Sequence, residues 1–405
     1  MKMNSSQSER RTIPFVRISG LEFSGVYDEV RQEGPLVKVR TPAGDLAWLV
    51  VGYDEAKVLL GSRTARRAHR NPAEAAMISR AGVMAGPVGN YDTEFRDHGR
   101  MRRILAPAFA TSRTVKLEPY IRSLVTDLIS DLIAARTAGD DPVDFHSLFS
   151  VPLPVFVICE LLGVPQADRI RFRDLSERAS MFVGPNPRDA MEELIDYCSH
   201  LLGAKRTTPT SDVLSDLAAA QAKDDDFPDY EASRIAAGLL FAGHETTLIR
   251  LDIGLVKLLD AALYPELPLT GGERLDKAIE EIIRVAACGD MGLVRYASEP
   301  IDIGGVRIEE GDAIIISTAG ANSDPNVFEN PHEFIPDRSD PAPQLGFGHG
   351  AHFCLGARLA KLEMKIAFEE LARRLPNLRI AEDPQEIEFF SDRLLSGLER
   401  LPVTW

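Results

Sequence analysis

The run Phe347-Gly348-His349-Gly350-Ala351-His352-Phe353-Cys354-Leu355-Gly356 holds the residues best able to do chemistry. Two glycines precede the cysteine and one follows it. Glycine adopts backbone angles that bulkier residues resist and lets a ligand approach the main chain. The run therefore reads as a tight, backbone-lined loop presenting one sulfur. Ala357 to Phe368 follows with apolar residues at helical spacing. Cys354 thus stands at a helix N-terminus, where free N–H groups and the positive dipole end favour a thiolate. Three chemistries remain open to such a sulfur: a nucleophile with His352 as its base, a ligand of a metal cluster, or an ordinary buried cysteine. No CxxC pair exists elsewhere to complete a cluster. A second run, Ala242-Gly243-His244-Glu245-Thr246-Thr247, lies in the middle of a long apolar helical stretch. Glycine there costs about 1 kcal/mol against alanine, and a buried glutamate needs a partner. A local rule broken in mid-core often marks a functional site.

The spacing Phe-Gly-x-Gly-x-His-x-Cys-x-Gly from Phe347 to Gly356 resembles the haem-binding loop of the cytochrome P450 family, with six residue types fixed in ten positions. The resemblance implies Cys354 as thiolate ligand of haem b iron, with Phe347, Gly348 and Gly356 shaping the loop. A thiolate ligand favours O–O cleavage. The Ala-Gly-x-Glu-Thr string resembles the family's oxygen-binding helix. It implies Ala242 and Gly243 leaving room for O2, Thr246 hydrogen-bonding at the oxygen site, and Glu245 relaying protons. His98 and Arg102 lie one turn apart on one helix face. They match the family's propionate-binding pair, as Arg295 and His352 match two further propionate contacts; a guanidinium fork suits a carboxylate. By helical spacing alone Arg284 could pair with Glu280 or Glu281. The family's Glu-x-x-Arg spacing selects Glu281 and Arg284, with Arg338 as third member of a structural triad.

The elements that must position these groups are mostly helical. Tyr230 to about Ala262 would run about 50 Å at ~1.5 Å per residue and is apolar on nearly all sides, so it is expected to be buried. Helical stretches are also expected over Asp92–Phe109, Val115–Arg136, Pro152–Leu162, Gln166–Phe182, Arg188–Ala204 and Leu275–Ala287. Leu36–Arg40 and Ala47–Val51 read as a β-hairpin, and Ile301–Ile303, Val306–Ile308 and Ala313–Ser317 as short strands. Gly61 to Asn90 reads mainly as loop. The implied fold is mainly α with a small β region, the cytochrome P450 fold, with haem between the long central helix and the cysteine-loop helix. Met1 to Arg11 is expected to be disordered, and residues 12–405 to form a single domain.

The chain has 405 residues, 44% hydrophobic and 26% charged, which is globular composition. A net charge of −15 argues against general binding to nucleic acid or anionic membranes. Four unpaired cysteines suit a reducing cytoplasm. No stretch of about 18 uncharged apolar residues occurs, so no membrane span is expected. The resemblance implies a monomeric monooxygenase of secondary metabolism, inserting one atom of O2 into a small organic substrate. Its electrons would come from a ferredoxin and ferredoxin reductase, since no flavin segment is present in the chain. Oxidative coupling or ring formation on the same haem is one alternative, and a non-catalytic haem sensor is another. The intact Glu245-Thr246 pair argues against the sensor. Substrate-facing positions are expected within Arg67–Val88, Met181–Pro185, Gly238–Ala242, Gly289–Val294 and Leu394–Leu395, with an edge neither uniformly apolar nor strongly charged. Arg96, Arg100 and Arg103 share one helix face away from His98 and Arg102. With Arg358 and Lys361 behind the sulfur, they are expected to form the docking patch for an acidic donor.

Overall fold

The computed structural model describes residues 11–13, 15, 25–80, 85–136, 141–181, 187–286, 291–338, 342–383, 386–390, 393, 395 and 397–405. The expectation for the N-terminus falls almost entirely outside these residues. So do the expected pocket positions 81–84, 182–185, 289–290 and Leu394.

The central helix spans Asp229–Asp260, 32 residues, or about 48 Å at ~1.5 Å per residue. It starts after Pro228, with Asp229 and Glu231 in its first turn, where acidic groups oppose the dipole. Twenty of its residues are buried, as an all-round apolar pattern requires. It packs against the helices Pro152–Leu162 and Pro187–Thr207 on one side, and against Gly272–Val285 and Ala357–Arg374 on the other. The helix Pro152–Leu162 has proline at its N-terminus and closes on Gly163 in the left-handed region, φ 82°.

The β region contains a five-stranded sheet of Leu36–Arg40, Leu46–Val50, Ala313–Ile316, Leu293–Ala297 and Ala65–Arg66, in that spatial order. The hairpin is present, with Leu36 opposite Val50. The second strand runs parallel to Ala313–Ile316, and the rest of the sheet is antiparallel. Sequence periodicity does not single out the edge strand Ala65–Arg66, because two residues are too few to show alternation. It matters for the site, since Arg66 pairs with Tyr296 and Arg67 therefore follows at the level of Arg295.

The helix Glu94–Leu105 corrects one expectation. Arg100 does not face solvent: it is 7% exposed and its Nη2 donates to both oxygens of Glu231, at 2.9 and 2.7 Å. Asp97, Asp224 and the carbonyl of Asp226 accept further bonds from it. The face expected to be outward is covered by the start of the central helix and the helix Val213–Gln221. Arg96 and Arg103 on the same helix remain exposed. Lys361, also expected in the patch, is tied to Glu280.

Candidate active site

Cys354 closes a loop held from several directions. Its N–H donates to the carbonyl of Phe347 at 2.9 Å. Gly348 and Gly350 have φ of 72° and 71°, where an L side chain is strained. A Cβ on Gly350 would lie 2.9 Å from Cα of Gly61, so that position also needs glycine for the close approach. Gly356 follows, and the helix Ala357–Arg374 begins immediately after it. The N–H groups of Gly356 and Ala357 point at the sulfur. Burial pushes the Cys354 thiol up, against the opposing pull of Arg250, Arg102 and those two N–H groups. Cys354 is nonetheless accessible to water. Enclosure and accessibility are compatible when the exposed surface faces a cleft inside the protein rather than open solvent.

Arg250, one turn beyond Thr246, is the functional side chain that motif reasoning left without a role. It is buried, its Nη2 donates to the carbonyl of Gly346 at 2.8 Å, and it lies over the Phe347 ring at 4.9 Å. It braces the cysteine loop and places positive charge near the sulfur. An arginine in a buried helix was the signal that such a partner exists.

On the central helix, Arg234, Gly238, Ala242 and Thr246 recur every four residues and form an accessible strip, while their neighbours are mostly buried. A Cβ added to Gly238 would meet nothing within 4 Å, so open space lies over that turn. Gly243 has the opposite role: a Cβ there would lie 2.9 Å from Ile158. Thr246 Oγ1 donates to the carbonyl of Ala242 at 3.0 Å. Glu245 is buried and borders a cavity of about 280 Å³ behind the helix, lined also by His146, Arg173, Glu177, His244 and Arg393. His244 contacts Ser176 Oγ at 3.1 Å, and burial holds its pKa down at about 3, so its ring is neutral.

The four expected propionate contacts come together. The rings of His98 and His352 are 3.9 Å apart. Arg102 donates to the carbonyl of Phe353 at 2.7 Å. Arg295 is buried and its Nη1 donates to the carbonyl of Val294 at 2.8 Å. Burial, then Arg67, lowers the Arg295 pKa to about 10. Burial followed by His98 and Arg295 lowers His352 to about 3. Burial, then Arg102 and Arg67, lowers His98. A concentration of guanidiniums and imidazoles that depress one another calls for an anionic ligand. Together with a sulfur at a helix N-terminus facing a strip of small residues, this donor set fits haem, its propionates on the cations and its iron on Cys354. Among the described residues no group of His, Cys, Asp and Glu could hold a bare metal ion.

The triad sits behind the loop. Arg284 Nε and Nη2 donate to the two oxygens of Glu281 at 2.7 and 2.8 Å, and Arg338 Nε donates to the same carboxylate at 3.1 and 3.2 Å. Arg284 also donates to the carbonyl of Asn322, whose Oδ1 accepts the N–H of Leu345 at the entrance to the cysteine loop. Glu280, the competing partner, bonds Lys361 and Gln344 instead.

A family model described as Cytochrome P450 matches residues 273–393. The chain is 34% identical to pentalenolactone synthase of Streptomyces exfoliatus, over 98% of this chain and all of that one. It is 33% identical to mycinamicin IV hydroxylase/epoxidase of Micromonospora griseorubida, over 99% and 100%. Among solved structures, cytochrome P450 MoxA from Nonomuraea recticatena superposes with a TM-score of 0.84 at 31% identity, covering 97% of this chain and 98% of that one.

Proposed function

The chain belongs to the cytochrome P450 family, and we propose how its residues divide the work of that family's chemistry. It is a haem-thiolate monooxygenase that oxidises small organic substrates with electrons from a redox partner. When bound, haem supplies the reductive activation of dioxygen. Cys354 holds the iron as thiolate, with the N–H groups of Gly356 and Ala357 and the charge of Arg250 offsetting burial of the sulfur. Arg102 and Arg295 would hold the propionates by charge, and the neutral rings of His98 and His352 would donate hydrogen bonds to them. Ala242, on the accessible strip, leaves the oxygen site open, whereas Gly243, expected to share that role, instead lets the helix pack against Ile158. Thr246 holds a proton at its Oγ1 there, and Glu245 resupplies it from the polar cavity behind the helix.

The observation that carries this reading is the sulfur of Cys354, held by two backbone N–H groups at a helix N-terminus and accessible to water. The test is turnover under isotopically labelled dioxygen of any ligand that shifts the haem spectrum. One labelled atom in the product and one in water is the expected result, and product without label would refute monooxygenation.

The electron donor is read as an acidic ferredoxin. Arg96, Arg103 and Arg358 are exposed in a chain of net charge −15 and form the attracting patch. Complementary patches chiefly raise association rates and weaken with salt. Arg103→Glu with Arg358→Glu should slow reduction by ferredoxin several-fold at low salt, measured by stopped flow, and equal rates for variant and wild type would place the donor elsewhere.

A further inference from the structure

The substrate-facing side of the cleft carries two guanidiniums that the haem does not account for. Arg67 follows the edge strand Ala65–Arg66. Its backbone is pinned on both sides, with its N–H donating to Glu94 Oε1 at 2.9 Å and its carbonyl accepting the N–H of Val88 at 2.9 Å. The other oxygen of Glu94 takes Arg66 Nε at 3.0 Å and the N–H of Ala68 at 3.3 Å. Glu94 is therefore already committed to the backbone and to Arg66, whose own side chain turns away onto Tyr91 and Phe95. Arg234 stands on the accessible strip of the central helix, two turns before Ala242 and next to the open space over Gly238. Among the described residues neither the Arg67 nor the Arg234 guanidinium has a hydrogen-bond or ion-pair acceptor.

The two arginines are neighbours. Burial and then the charge of Arg234 lower the Arg67 pKa, with Glu94 opposing. Arg67 is also accessible to water and lies level with Arg295 across the strand pair. Among the described residues, five guanidiniums, Arg66, Arg67, Arg102, Arg234 and Arg295, gather around the carboxylate of Glu94. Two haem propionates would neutralise two more, leaving two positive charges over. Like charges held together in a partly desolvated place are costly unless an anion joins them.

We propose that Arg67 and Arg234 recognise the substrate, and that the substrate is an organic acid whose carboxylate binds between them. The proposal rests on the monooxygenase reading and names the substrate class of that same site. Eight residues separate Arg234 from Ala242, about 12 Å along the helix axis. The carbon that is oxidised therefore lies at the far end of the substrate from its carboxylate. A bidentate guanidinium–carboxylate contact fixes orientation as well as affinity, so the same pair sets which carbon is presented.

The test uses the holoenzyme and a series of ω-(imidazol-1-yl)alkanoic acids of increasing chain length, each beside its methyl ester. The imidazole anchors on the haem iron and gives a spectral shift, so affinity is read for acid and ester alike. At least one acid is expected to bind about tenfold or more tightly than its ester, the scale of a hydrogen bond between charged partners. Arg234→Gln should abolish that preference while leaving haem content and ester affinity unchanged, and Arg234→Lys should restore part of it. Arg67→Gln should act in the same direction, and if that variant loses haem, Arg234→Gln alone decides. The proposal is overturned if no acid in the series is preferred to its ester by wild type, or if the preference survives Arg234→Gln. Failure of both acids and esters to shift the spectrum would instead sink the haem-site reading on which the proposal stands.

Discussion

Replacing Glu281 by glutamine tests how the cysteine loop is supported. Glu281 is 4% exposed and Arg284 2%. The carboxylate accepts from Arg284, Arg338 and the N–H of Ile335. Glutamine keeps the shape but removes the charge and one strong acceptor, leaving two guanidiniums over an uncharged amide. Removing one partner of a buried ion pair costs about 3–5 kcal/mol. At roughly 2.1 cal/mol/K of unfolding entropy per residue, 405 residues give about 0.85 kcal/mol/K, so the melting temperature should fall by about 4–6 °C. The control is Glu280→Gln. Its pair with Lys361 is 43% and 37% exposed, and exposed pairs contribute at most about 1 kcal/mol, or about 1 °C. Both variants are melted as holo-protein at one fixed scan rate, followed by far-UV circular dichroism. Because Arg284 and Asn322 link the triad to Leu345, Glu281→Gln should also lower haem content. Equal melting shifts for the two variants, with full haem in both, would refute the claim that the triad is a buried brace.

Thr246→Ala should keep haem and ligand binding but divert electrons from product to free hydrogen peroxide, because its Oγ1, which donates to the carbonyl of Ala242, is the group proposed to hold a proton at the oxygen site; peroxide assay beside NADPH consumption checks it. The buried His146–Asp252 pair, 2.7 Å apart with Asp252 on the central helix, should make stability depend on pH. Burial opposes charge on His146, but Asp252 more than offsets this and raises its pKa, and burial raises Asp252 as well. His146 holds its proton more tightly folded than unfolded, so its stabilisation is present below the unfolded histidine value of about 6.5 and is lost as pH rises through its raised value. Wild type should therefore lose more melting temperature than Asp252→Asn as pH is taken upward from about 6.5, and parallel curves would contradict it. Arg100→Gln should destabilise the protein by about 3 kcal/mol or more, since it strands Glu231, Asp97 and Asp224 around a buried site; a chemical melt unchanged from wild type would restore the surface reading of that residue.

What the sequence made legible was local. The Cys354 loop, the Glu245-Thr246 pair and the Glu281–Arg284 spacing each lie within about ten residues, so residue type and helical period suffice to place them. Their expected neighbourhoods agree with the structure: the propionate residues converge, and Arg284 takes Glu281 rather than Glu280. Arg100 was misread because a helical wheel does not know what covers it. Its partners Asp224 and Glu231 come from a distant turn and from the start of the central helix. Arg250 and the Arg67–Arg234 pair were hidden for the same reason, as each acquires meaning only when strand, loop and helix are brought together. The short strand Ala65–Arg66 that positions Arg67 carries no period of its own.

The most direct measurement is the absorption spectrum of the dithionite-reduced holo-protein under carbon monoxide, taken for wild type and for Cys354→Ala. The account predicts the red-shifted Soret band of thiolate-ligated haem in wild type and its disappearance in the variant. A variant that keeps the wild-type band, or a wild type that never shows it, would contradict the assignment of Cys354 as the iron ligand.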